Sequence, residues 1–294
     1  MAKHWIGAAV ILSLAMAACG EQMAGGRVEA APASASGAGP LSYGDDPLQA
    51  VDFWPARTAK GRTPLIIFVH GGGWRAGDKG NATGAAKIAH YPALGYAFAS
   101  VNYRLSPAAT VEQQAQDVAA AIAFLRGRAA DLGVDPARIV LMGHSAGAHL
   151  VALVGADPRY LAAHGMKLDA VRGVIALDGA GYDVARQLDL AGPVLKRTYQ
   201  QAFGADPARH KALSPTFQAG APNAPSFLIL HVDRADGRQQ SQELAAALRK
   251  AGTPVALHAL AGKGMRGHLQ INRLMGDPDY PGTPIVDAWL ARRF

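Results

Sequence analysis

The feature that most limits how this chain can fold is a junction. The apolar run Arg138–Met142 stops at Gly143-His144-Ser145-Ala146-Gly147, and Ala146 to Ala156 continues at once as a helix-forming segment. A Gly-x-Ser-x-Gly pentapeptide between strand and helix requires a sharp reversal of the backbone, for which flanking glycines leave room. The same strand-then-helix order recurs along the chain. Leu65–His70, Tyr96–Val101, Val171–Leu177, Phe227–Val232 and Val255–Leu260 are continuous apolar runs of strand length. Val111–Arg126, Arg238–Ala251 and Pro284–Arg293 carry apolar residues at helical spacing. Runs apolar on both faces, alternating with helices, predict an α/β fold: a mainly parallel sheet with helices on both sides. With 294 residues, half of them hydrophobic, the chain can bury one large core.

Against that frame the domain is expected over residues 43–294, with residues 178–224 as a cap or rim. Pro193, Pro207, Pro215 and Pro222 interrupt this stretch, which therefore reads as irregular. In a parallel α/β sheet such a segment lies over the carboxyl ends of the strands, where substrates bind.

The residues at those strand ends carry the chemistry. Ser145 sits where the turn exposes a hydroxyl above the N-terminus of the following helix, whose free N–H groups favour developing negative charge. His70-Gly71-Gly72-Gly73-Trp74 ends another strand, and its side-chain-free amides can approach a carbonyl oxygen closely. Gly72, Gly73 and Ala146 are the candidate oxyanion-binding amides. A phosphate loop would need Lys-Ser or Lys-Thr and a helix start after the glycines, and Trp74-Arg75-Ala76-Gly77-Asp78 supplies neither. A serine nucleophile needs a base and an orienting carboxylate, in the order serine, acid, histidine. His268, expected in a loop after Val255–Leu260, is the candidate base, with His258 as the alternative. His231 and His258 fall inside strands and His149 on the elbow helix, where packing is the expected role. Asp236, at the Asp-Gly turn after Phe227–Val232, is the candidate acid, with Asp233 as the alternative. Trp74 and Tyr103 are candidates for lining the substrate pocket, or for packing.

Taken together, His70-Gly-Gly-Gly-Trp-Arg-Ala-Gly-Asp-Lys79, Val101-Asn-Tyr-Arg-Leu-Ser-Pro107, Gly143-His-Ser-Ala-Gly-Ala-His149, Gln240-Ser241 and His268-Leu-Gln-Ile-Asn-Arg273 resemble the hormone-sensitive-lipase-like carboxylesterase branch of the α/β hydrolases. Within it the chain is similar to bacterial feruloyl and acetyl-xylan esterase-like proteins and to kynurenine formamidases. The resemblance implies a Ser145–Asp236–His268 triad, an oxyanion hole at Gly72, Gly73 and Ala146, no metal or cofactor, and hydrolysis of small acyl or aryl esters through an acyl-enzyme. One departure from the pattern stands at the acid. The strand before it ends His231-Val232 where the family has His-Gly. Two other readings are an arylformamidase-type amide hydrolase and a non-catalytic binding protein of the same fold tethered to the envelope.

Residues 1–19 have the layout of an export signal: Lys3 and His4, the apolar run Ile6–Met16, then Ala17-Ala18-Cys19. The last four residues resemble a bacterial lipobox, making Cys19 the expected lipidation site and membrane attachment the expected role of this end. Residues 20–42 are Ala, Gly, Ser and Pro in the main and read as a flexible tether. The expected location is the bacterial cell envelope. Cys19 is the single cysteine, so an intramolecular disulfide is excluded. The net charge of +7 is scattered, without the clusters interleaved with aromatics that nucleic acid binding uses.

Overall fold

The computed structural model describes residues 40–58 and 60–294. The export signal, Cys19 and nearly all of the tether lie outside the described residues. Strand β1 (Leu41–Ser42) occupies the last two residues assigned to that tether, because it pairs with β2 (Ala50–Trp54).

The remaining strands are β3 (Thr63–Val69), β4 (Ala97–Val101), β5 (Val134–His144), β6 (Gly173–Leu177), β7 (Phe227–Asp233) and β8 (Val255–Lys263). They form one sheet in the order β1-β2-β4-β3-β5-β6-β7-β8, antiparallel through β1, β2 and β4 and parallel from there to β8. This is the expected α/β-hydrolase architecture. In β3 every residue is buried, and the side chains divide with a period of two. Leu65, Ile67 and Val69 join the core on one face, Ile66 and Phe68 the core on the other.

The first face is covered by α2 (Val111–Gly127), α3 (Ala146–Ala156) and α9 (Ala235–Lys250), the second by α1 (Ala85–Ala93), α10 (Gly264–Leu274) and α11 (Gly282–Ala291). Helix α2 begins at a reciprocal capping box between Thr110 and Gln113. Strand β8 was expected to be buried. It is instead the outer edge of the sheet, and His258 on it is exposed rather than packed in the core.

The cap is more regular than its prolines imply. After the short α4 (Pro158–Ala162), it contains α5 (Val184–Leu190), α6 (Pro193–Phe203), α7 (Pro207–Ala212) and α8 (Pro215–Gln218). Pro193, Pro207 and Pro215 each open a helix, where the missing N–H costs nothing and the fixed φ fits the first turn.

Candidate active site

Strand β5 ends at His144, and the chain reverses at Ser145, whose φ of 56° and ψ of −119° lie where non-glycine residues rarely go. The flanking glycines make this possible. A Cβ on Gly143 would overlap the Gly147 carbonyl oxygen, and one on Gly147 would overlap the carbonyl oxygen of Val69. The Ser145 N–H donates to Leu177 O at 3.1 Å, so the elbow is tied to the end of the neighbouring strand β6.

The Ser145 hydroxyl donates to His268 Nε2 at 3.0 Å, and His268 Nδ1 donates to Asp178 Oδ2 at 2.6 Å. Ser145 and His268 are thus brought together as the sequence predicts, but the carboxylate is neither Asp236 nor Asp233. Asp236 instead accepts from Arg234 at 2.6 Å and from Gln187 at 2.9 Å, while Asp233 is an exposed partner of Arg238. Asp178 follows β6 directly and is fully buried, with a left-handed φ of 43° that swings its carboxylate back over the sheet. Its Oδ1 accepts from the Val232 amide at 3.2 Å. Burial pushes the Asp178 carboxyl up, but the His268 hydrogen bond, the Arg234 charge and the Val232 amide outweigh it and hold it below the usual range.

His268 lies in the second turn of α10 rather than in a glycine-rich loop, since β8 runs on through Lys263 and α10 starts at Gly264. Two contacts hold that helix. His144 Nε2 donates to the carbonyl oxygen of His268 at 2.9 Å, and the two rings pack with centroids 4.5 Å apart. One turn further, Asn272 accepts twice from Lys87 Nζ of α1, through its backbone oxygen at 2.5 Å and Oδ1 at 2.9 Å. Lys87 also donates to Thr83 O at 2.6 Å and lies 4.8 Å from the centre of the Phe68 ring. Burial without a carboxylate pushes its ammonium down to about 7.

The glycine loop meets the elbow from the other side. A Cβ on Gly71 would sit 2.9 Å from Ser145 Cβ, and Gly72, Gly73 and Trp74 all take positive φ values of 127°, 61° and 60°. Among the described residues, the amides of Gly72, Gly73 and Ala146 donate to no protein group, which leaves them free for an oxyanion.

Of the two roles open to Trp74 and Tyr103, pocket wall or packing, burial selects packing. Trp74 is 1% and Tyr103 0% exposed. Both support the glycine loop from beneath. Tyr103 donates its hydroxyl to His70 O at 3.0 Å and stacks on the His70 ring, while Trp74 Nε1 donates to His149 Nδ1 at 3.3 Å. His149 is therefore more than packing: its Nε2 donates to Leu213 O at 2.8 Å, joining the elbow helix to the cap. Burial brings its imidazole down to about 4, so it is neutral at physiological pH. Helix α6 of the cap lies against the loop: Tyr199 and Phe203 pack on Trp74, and the Thr198 methyl group would lie 2.9 Å from a Cβ on Gly73.

Residues 51–248 match the family described as BD-FAE. Esterase LipC of Mycobacterium tuberculosis is 33% identical over 204 residues, 65% of this chain and 49% of that protein. Esterase LipQ of the same organism is 31% identical over 220 residues, 71% of this chain and 52% of its own length. The chain thus spans about half the length of these curated relatives. Among solved structures, esterase B from Lactobacillus rhamnosis superposes with a TM-score of 0.71 at 22% identity, covering 86% of this chain and 82% of that one. Thermogutta terrifontis esterase 2, phosphonylated by sarin, does so with a TM-score of 0.68 at 23% identity, covering 87% and 95%. At these identities the structural likeness shows the fold.

Proposed function

Since the chain belongs to the BD-FAE family of α/β hydrolases, we propose that it is a serine carboxylic-ester hydrolase acting on small acyl or aryl esters. One observation carries this reading: the unbroken relay from the Ser145 hydroxyl through the His268 ring to the buried Asp178 carboxylate. The named esterase relatives support it.

In the first half-reaction Ser145 Oγ attacks the ester carbonyl while its proton passes to His268 Nε2. The carbonyl oxygen becomes an oxyanion facing the amides of Gly72, Gly73 and Ala146, each worth about 3 kcal/mol in the transition state. Collapse expels the alcohol, which takes the proton from His268. Water, deprotonated by the same nitrogen, then releases the acid and restores Ser145. Asp178 keeps the proton of the resting imidazole on Nδ1 and stabilises the imidazolium.

A fluorophosphonate probe tests the proposal. It should label Ser145 in the wild type and fail on Ser145→Ala, which should also lose turnover of p-nitrophenyl acetate. Absence of labelling on folded wild type overturns it and favours a binding protein. Parallel rates on acetylated sugars, feruloyl esters and N-formylkynurenine assign the substrate, and a preference for the last favours the arylformamidase reading. We further infer attachment to the bacterial cell envelope through a lipid on Cys19, supported by the sequence from Lys3 to Cys19. Incorporation of labelled palmitate that Cys19→Ser abolishes is the expected result.

A further inference from the structure

The carboxylate beside His268 also holds a guanidinium. Asp178 Oδ2, the oxygen that accepts from His268, also accepts from Arg234 Nε at 3.2 Å. Arg234 reaches further along the same loop, donating to the carbonyl oxygens of Asp178 at 3.4 Å and Gly179 at 3.1 Å. These contacts bracket the one left-handed aspartate of the described residues. The other end of the guanidinium donates to Asp236 Oδ2 at 2.6 Å, and Gln187 of α5 donates to that same oxygen. Gln187 Oε1 accepts the Gly181 amide at 3.0 Å, which closes a ring from Asp178 through Arg234, Asp236 and Gln187 back to Gly181. Neither end of the pair is a surface ornament: the side chains of Arg234 and Asp236 are 11% and 16% exposed, and Asp178 is 0%.

We propose that Arg234, balanced by Asp236, is a positioning residue of the hydrolase: it fixes the Asp178 carboxylate against His268 and sets the charge that the imidazole meets when it takes up a proton. The proposal rests on Asp178 being the acid. It also gives Asp236 a defined place. Uncompensated, a guanidinium sharing the acid's oxygen would oppose the imidazolium formed during acyl transfer; the Asp236 carboxylate offsets that opposition while leaving the hydrogen bonds in place. Three cap contacts converge here. Gln187 holds Asp236, the Tyr199 phenol of α6 faces the guanidinium, and Tyr182 lies beside Gly179. On the opposite side, His144 packs on His268, and Lys87 acts on His144 across the helix interface. Burial first and then the Asp178 charge push the Tyr280 phenol up. Of these groups only Arg234 and Asp236 pair with each other within reach of the acid.

The test reads the acid limb of kcat/KM, which reports uptake of the proton that disables the base. Guanidinium and imidazole share one oxygen and so lie within about 6 Å, where a unit charge at an effective dielectric of about 20 moves such a limb by about two pH units. Arg234→Met should shift the limb up by about that amount and lower kcat; Asp236→Asn should shift it down. Arg234→Lys, keeping the charge without the fork, should leave the limb near its wild-type position and restore kcat only in part. If Arg234→Met lowers activity with the limb unmoved, the residue is merely structural and the proposal fails. Should Arg234→Met not fold, the downward shift in Asp236→Asn decides in its place, and an unmoved limb there overturns the proposal equally. Asp178→Ala, measured alongside, separates this from the parent reading: full activity in that variant sinks Asp178 as the acid, whatever the Arg234 variants do.

Discussion

Replacing Asp178 and Asp236 by alanine, one at a time, discriminates most sharply between what the chain order implies and what the folded geometry does. Among the described residues, Asp178 is the only carboxylate in contact with the His268 ring, at 2.6 Å and out of reach of solvent. Without it nothing fixes the proton on Nδ1, so the tautomer with Nε2–H facing Ser145 becomes populated and the imidazolium loses its counter-charge. Loss of a triad aspartate typically lowers kcat about 10⁴-fold, equivalent to about 5 kcal/mol. Asp236 sits one residue further out, its carboxylate on Arg234 and Gln187. Its removal leaves the Ser145–His268–Asp178 relay whole, and the expected loss is less than about 10-fold, the scale of one charge-assisted hydrogen bond acting indirectly. Asparagine at 178 is the less informative change, because the Val232 amide and Arg234 compete to orient the new carboxamide. The assay is kcat on p-nitrophenyl acetate, with thermal unfolding on each variant to confirm that it folds. A fall of 10³ or more in Asp236→Ala, with Asp178→Ala within about 10-fold of wild type, would refute the assignment.

Other outcomes follow from the same contacts. Trp74→Ala should lower stability by about 3–5 kcal/mol in urea unfolding, since the side chain is buried packing beneath the glycine loop. A pocket-lining tryptophan would instead change substrate preference at nearly constant stability. Gly147→Ala should destabilise the fold by at least about 2–3 kcal/mol and abolish probe labelling, as its Cβ has no space against Val69. Lys87 gives a pH signature. Its proton is bound in the unfolded chain up to the ordinary lysine range but in the native state only to about 7. The burial penalty is therefore fully present below pH 7 and relieved as pH rises toward 10.5, a gain on the order of a few kcal/mol over the window. Lys87→Met should flatten the rise in urea midpoint between pH 7 and 9.5, and an unchanged slope would count against the assignment.

The nucleophile was legible because its signal is local: a strand, five residues and a helix specify an elbow without reference to anything distant. The base was legible in identity but not in setting, since Gly262, Gly264 and Gly267 look like a loop although only the first two take positive φ and α10 begins at the second. The acid was not legible. Chain order and the Asp-Gly turn favoured Asp236, and nothing local marks Asp178, which is the first residue of a stretch read as cap. What decides between them is a backbone turn at 178 and a guanidinium at 234, both products of tertiary contact. One trace was present: the departure from His-Gly near the end of β7 falls beside the loop that supplies Arg234 where the family pattern supplies its acid. The role of Trp74 and Tyr103 stayed open for a related reason. Aromatic side chains next to a glycine loop suit a pocket wall and a foundation equally, and only burial tells which.

The attachment of Ser145 to Leu177 has a bearing on how the catalytic groups can be altered independently. Nucleophile and acid leave adjacent strands within one residue of that bond, so they share a single rigid ledge and any shift of one carries the other with it. The imidazole arrives from a separate helix, seated by a histidine on one side and a buried lysine on the other. The geometry of the relay, altered by selection or by design, accordingly has one member that moves independently, and the place to move it is the seam between α1 and α10, while Arg234 and Asp236 act on its charge.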